Sequence, residues 1–360
     1  MKFTIDPKLL ADTVASAARA LPQRPVVPVL SGLLVHAASN QVTVSAFDYG
    51  TSYRGTVAAE VAEPGEVLVP GRLLAEVAKS LPTTMFVDVT STDREVVLTC
   101  GPSEFGLITM PVEDYPSLPE PPMSAGTADG AVLARAVEQV AIACAKDDTL
   151  PMLTGVRVDA DGRTLTLAAT DRYRIAVRDL PWQPHTATSL GQLVPGKILH
   201  DIVRDLHGPV TIAVNEQLAA FTTDTRETTV RLLDNQFIDY RARVDIDTPI
   251  VATVDAAALA GAVKRVALVA EKNTAIRLTF TAGEVLVQAG GGDIGRGRDA
   301  VPCELDGDTI EIAFQSQFLL DALNAIDGPA RIGMEGGTKP ARISCEDGSY
   351  RCLVMSLRLS

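Results

Sequence analysis

The chain has 360 residues, 46% hydrophobic, 21% charged and 4% aromatic, and its 45 acidic against 32 basic side chains leave a formal net charge of −13. That size and apolar content build cores for two or three domains, which excludes a disordered chain, a collagen-like repeat and, with only five cysteines, a disulfide scaffold. The opening MKFTIDPKLL lacks a basic-then-apolar leader and no stretch approaches the roughly 18 apolar residues of a membrane span, so a reducing cytoplasm is the expected location.

In chain order, the first element signalled is a helix after Asp6: LLADTVASAARAL sets Leu10, Val14, Ala17 and Ala18 on one face, with Asp6 placed to cap it. The alternating run QVTVSAF follows, then a second helix, VPGRLLAEVAKSL (69–81), and the strand patterns VDVTS and EVVLTC. Pro-rich LPEPPMSAGTADG (118–130) reads as a linker. The pattern then begins again: Asp129 caps VLARAVEQVAIAC, TLTLAAT alternates, VPGKILHDIVRDL (194–206) repeats the second helix, and PVTIAV and LAAFTT close the unit. A second break, VDIDTPIVATVD (244–255), ends on Asp255, which caps ALAGAVKRVALVA. The strands IRLTF and EVLVQA, the weaker helix QSQFLLDALNAIDG (315–328) and the strand ARISC complete the chain. Three copies of one unit are therefore expected, at 1–122, 123–248 and 249–360. Each reads helix, strands, helix, strands: an α+β unit with two helices on one face of an antiparallel sheet of six to eight strands.

Cys100, Cys144, Cys303, Cys345 and Cys352 include no CxxC pair and the four histidines are scattered, so neither a metal nor a cofactor is expected. Net acidity weighs against nucleic acid on average but leaves room for a local basic face. Arg72 and Lys79 lie seven apart on one helix face, and Lys197 and Arg204 occupy the same two positions one repeat later. The third repeat has Gln317 and Asn324 there, while Arg19, Arg135, Lys146, Lys264 and Arg265 add charge on or beside the other helices. A single pair would read as a solvated face; recurrence in two repeats points to a shared cationic one. Asp171-Arg172-Tyr173-Arg174 between two strands offers an acid and two bases without a histidine partner, and reads as an isolated polar turn. Asp147 and Asp148 stand alone at a helix end. Gly290 to Gly295 satisfies G-x-G-x-x-G, yet GRGRDAVPCEL follows with no helical period, so a hairpin loop is expected rather than the site of a nucleotide-dependent enzyme.

The segments MKFTID, LPQRPVVPVLSGLLV, MPVEDYPSLP, LTGVRV, AATDRYRIAV, FIDYRARV and CLVMSLRL, in this order, resemble the bacterial sliding clamp, the beta subunit of the replicative DNA polymerase. The resemblance runs over essentially the whole chain. It implies a non-catalytic processivity factor: a head-to-tail homodimer of three-domain protomers closing a ring around duplex DNA, with helices inside and no base readout. The DNA-facing residues it implies are Arg24, Arg72, Lys79, Lys146, Lys197 and Arg204. Phe105 and Leu107 against Leu268 and Val269 would be the apolar centre of the dimer contact. Short peptides of the polymerase catalytic subunit, the clamp loader, and repair and translesion polymerases would enter a pocket of Leu153, Thr170, Arg172, Tyr173, Arg174, Ile175, Ile238, Arg243, Leu353, Met355, Ser356 and Leu357, with Met152 and Pro340 on its rim. Departures from the family pattern cluster in that pocket: Ile238 and Ser356 stand at proline positions, Arg243 replaces an aliphatic residue, and Gln315 and Phe318 replace an asparagine and a tyrosine. They suggest altered pocket preference, a second copy beside a conventional clamp, or insensitivity to a pocket-directed inhibitor. The alternative reading is a ring-shaped interaction scaffold that is not loaded on DNA.

Overall fold

The computed structural model describes residues 1–185, 190–234, 236–270, 275–290 and 295–358. The three aspartates cap their helices. Asp6 accepts hydrogen bonds from the N–H groups of Lys8 and Leu9 at the start of α1 (Pro7–Arg19), and α2 (Gly71–Ser80) packs on it. Asp129 caps α3 (Gly130–Ala141) through the Val132 N–H at 3.0 Å, and α4 (Gly196–Val203) packs on that helix. After the single turn α5 (Arg241–Val244), Asp255 caps α6 (Ala256–Ala267) through the Ala258 N–H at 2.7 Å, and α7 (Ser316–Asn324) is its partner. In the first two pairs the second helix starts on a glycine packed against the segment just past the first helix, where a side chain does not fit. A Cβ on Gly71 would lie 2.6 Å from Leu21, and one on Gly196 2.5 Å from Cys144 Sγ.

By compactness the chain divides into two units, with the central repeat shared between them. The first comprises Met1–Ala128 and Leu206–Leu232. One of its sheets runs in the order Glu60–Glu63, Lys2–Ile5, Val87–Ser91, Glu95–Cys100, Ser103–Ile108. In the other, Arg226–Arg231 from the central repeat pairs with Thr51–Ala58 from the first, so a continuous ladder joins them. Phe3, Ile5, Leu10, Val14, Leu33, Val44, Leu74, Val77 and Leu98 fill the core between the helices and these sheets. The second unit comprises Asp129–Asp205 and Leu233–Ser360. Here Arg174–Pro181 of the central repeat pairs with Tyr350–Val354 of the third, within a 12-stranded antiparallel sheet. The central repeat is divided because its two halves each add to a neighbour's sheet.

Three expectations need correction. The first repeat holds nine strands, more than six to eight, because four-residue strands such as Lys2–Ile5 and Glu60–Glu63 are too short to show alternation. Both expected linkers contain a strand, Ser124–Asp129 and Ile250–Asp255, each running directly into a capping aspartate. The helix read at 194–206 is shorter, and Arg204 is its C-cap residue.

Candidate functional site

The Asp171–Arg174 turn is built by its own side chains. Asp171 Oδ1 accepts from the N–H groups of Tyr173 (3.0 Å) and Arg174 (3.1 Å), and the Thr170 hydroxyl donates to the Arg174 carbonyl at 2.7 Å. This closure holds Arg172 at φ +79°. The first repeat makes the same turn: Asp48 Oδ1 accepts from Gly50 N (2.9 Å) and Thr51 N (2.5 Å), with Tyr49 at φ +69°. What differs is the strand pair below. In the second unit Ile175 stands opposite Leu353, both 7% exposed; in the first unit the matching pair is Ser52 opposite Thr229. An apolar floor therefore underlies the second of these turns and a polar one the first. In the third repeat Gly290 pairs with Arg296 at the mouth of a hairpin, while Gly291, Gly292, Asp293 and Ile294 lie outside the described residues.

Ile175 and Leu353 pack with Ala168, Val177, Tyr240 and Val244, and Phe237, Ile238 and Ile246 lie half-buried against them. The Tyr240 hydroxyl donates to Asp159 Oδ2 at 2.7 Å; burial, reinforced by that carboxylate, raises its pKa well above the ordinary tyrosine range. Leu153 is buried and Met152, Ser356 and Pro340 are half-buried, while Arg172 and Arg243 are exposed. Met355 and Leu357 are also exposed, and Met355 N–H donates to the Tyr173 carbonyl at 2.9 Å. The Tyr173 ring, 55% exposed, stacks on Phe318 of α7 with centroids 5.9 Å apart.

Arg174 corrects the reading of an isolated polar turn, for it is 8% exposed. Its Nε donates to Asp171 Oδ2 at 2.9 Å, its Nη1 to Asp321 Oδ2 at 2.6 Å and its Nη2 to the Ile142 carbonyl, and its guanidinium lies 4.6 Å from the Phe318 centroid. Burial opposes its charge, but the hydrogen bonds and charges of Asp321 and Asp171 outweigh that and raise its pKa. Asp321 was missed from the sequence; the signal available was an acid on α7 beside the buried Leu319, Ala322 and Leu323.

All six candidate DNA-facing residues, Arg24, Arg72, Lys79, Lys146, Lys197 and Arg204, are exposed. Arg204 Nε has Asp205 at 3.9 Å, and two cations on other helices are offset more closely: Arg135 by Glu138 (3.2 Å) and Asp327 (3.3 Å), and Arg265 by Asp299 (2.7 Å). Phe105 and Leu107 lie on Ser103–Ile108, the outermost strand of its sheet; Leu107 is inside its own domain's core and Phe105 half-buried against it. Past α6, Leu268 is 83% exposed and Val269 half-buried.

Three tandem α+β repeats, with an apolar floor under one turn and exposed cations at repeated positions, are the architecture of a clamp-type accessory protein. Profiles for the N-terminal, central and C-terminal domains of the DNA polymerase III beta subunit match residues 1–119, 127–239 and 247–358. The chain is 44% identical to the beta sliding clamp of Streptomyces coelicolor, with all of both chains covered. It is 40% identical to the beta sliding clamp homolog GriR of Streptomyces muensis, over 91% of this chain and 89% of that one. A solved structure, the Pseudomonas aeruginosa sliding clamp bound to griselimycin, superposes with a TM-score of 0.94 at 28% identity and covers all of both chains. The chain belongs to the DNA polymerase III beta subunit family, the bacterial sliding clamps, whose members are processivity factors and not catalysts.

Proposed function

We infer that two copies of this chain, joined head to tail, close around duplex DNA and tether the replicative polymerase, the clamp loader, and repair and translesion polymerases by short peptides. The observation that carries the reading is the recurrence of Arg72 and Lys79 as Lys197 and Arg204, exposed on, or in the case of Arg204 at the end of, helices that follow the same V-P. Cations at repeated positions meet phosphates without reading bases, which leaves the ring free to slide. With Arg24 and Lys146 they form the DNA face; Phe105, Leu268 and Val269 centre the dimer contact, with Leu107 beneath Phe105 in the core of its own domain. A polymerase held by such a ring stays at high effective concentration near its template. The domains fall at 1–122, 123–248 and 249–360, and the site of action is the cytoplasm.

The partner peptide lies over Ile175 and Leu353, between the Tyr173–Phe318 stack and the Ile238 side, with Met152 and Pro340 at the rim. Phe318, Arg243, Ile238 and Ser356 set a pocket preference different from that of a conventional clamp.

The test is size-exclusion chromatography with light scattering, followed by retention on circular and on linearised plasmid after clamp loading. A dimer that stays on circles and leaves linear ends supports the reading. Equal release from both, or a dimer that never loads, replaces it with the unloaded scaffold.

A further inference from the structure

The first unit leaves a seam open between its two sheets. The strand Gly65–Pro70 ends one of them: Gly32–Ala38 pairs with one edge, and among the described residues the other edge meets an isolated bridge between Leu68 and Met110. The Leu68 carbonyl accepts from Met110 N–H at 2.8 Å, so Leu68 turns its backbone groups outward. In an antiparallel ladder the residue two positions away does the same, so Glu66 presents an N–H and a C=O on that edge. Beside it lies a cavity of about 580 Å³, a size that takes a small ligand or short peptide. The turn at residues 91–93, the segment 109–113 and Met1 form the other walls. Three exposed carboxylate side chains line the cavity, Glu66, Asp93 and Glu113, and no lysine or arginine side chain does.

We propose that this seam docks an extended segment of a partner protein carrying Lys or Arg, which adds as a short strand along Glu66. Unpaired strand edges recruit strands, and the carboxylates decide which strand is accepted. The site belongs to the first unit and is separate from the pocket over Ile175 and Leu353.

The experiment uses the full-length protein and two fluorescein-labelled peptides, Lys-Val-Lys-Val-Lys-Val and Glu-Val-Glu-Val-Glu-Val, read by anisotropy, with amide hydrogen exchange alongside. The lysine peptide binds saturably and slows exchange of the Glu66 N–H; the glutamate peptide does neither. Glu66→Lys with Glu113→Lys weakens binding by about tenfold or more, since like charges oppose docking. The loop pair Asp93→Lys with Glu113→Lys does the same without altering a strand residue. Glu216→Lys with Asp224→Lys, two exposed acids elsewhere in the unit, leaves affinity unchanged, as does Leu353→Asp in the partner pocket. Equal binding of both peptides, equal weakening by the control pair, or unchanged exchange at Glu66 overturns the proposal.

Discussion

Arg174 Nη1 lies 2.6 Å from Asp321 Oδ2, which ties the pocket turn of the central repeat to the last helix of the third. Removing one partner of a largely buried ion pair leaves the other uncompensated, at a cost of about 3–5 kcal/mol. Asp171 still faces the guanidinium, so Asp321→Ala falls at the low end of that range, about 3 kcal/mol. Thermal unfolding shows the loss, and Asp321→Asn, which keeps an acceptor, recovers part of it.

Leu353→Asp places a carboxylate on the apolar floor opposite Ile175. A fluorescent peptide from the clamp-binding segment of a replicative polymerase then binds about 100-fold or more weakly, because a peptide covering that floor must desolvate the charge. Circular dichroism of the variant separates this from unfolding. Unchanged affinity would remove Leu353 from the pocket.

Exposed cations that touch phosphate differ from cations already paired. Lys197→Ala lowers the slope of log affinity against log salt by about 0.9 if one phosphate contact is lost. Arg135→Ala leaves the slope unchanged, because Glu138 and Asp327 already face that guanidinium. Salt titration of DNA retention compares the two.

Burial pushes the thiols of Cys144 and Cys352 up to about 12. At pH 8 the thiolate fraction is then about one in ten thousand, and iodoacetamide labels neither residue until the chain unfolds. A thiol pKa raised above its unfolded value near 8.5 contributes stability that is complete below that pH and is lost as pH rises toward 12. The melting temperature therefore falls between pH 9 and 11, less steeply in Cys352→Ala than in the parent chain.

The aspartate caps, the paired helices and the alternating strands were legible because each depends on residues within one or two turns of one another. Ser124–Asp129 was not: SAGTAD has small side chains and no alternation, and it becomes a strand by adding to Pro209–Val214. The pocket was legible only through resemblance. Taken alone, Asp171 to Arg174 read as a surface turn, and nothing local marks Arg174 as buried.

The repeat, its helix starts and the recurrence of Arg72 and Lys79 as Lys197 and Arg204 follow from the sequence by itself, since each is a short-range pattern stated three times or twice. Which turn carries the pocket was decided by tertiary structure. The turns at Asp48 and Asp171 are locally alike, but one sits over Ser52 and Thr229 and the other over Ile175 and Leu353. Those partners lie some 180 residues apart in the chain, and strand pairing is what makes them neighbours. Burial of a shared surface is a property of the pair, and neither segment holds it alone.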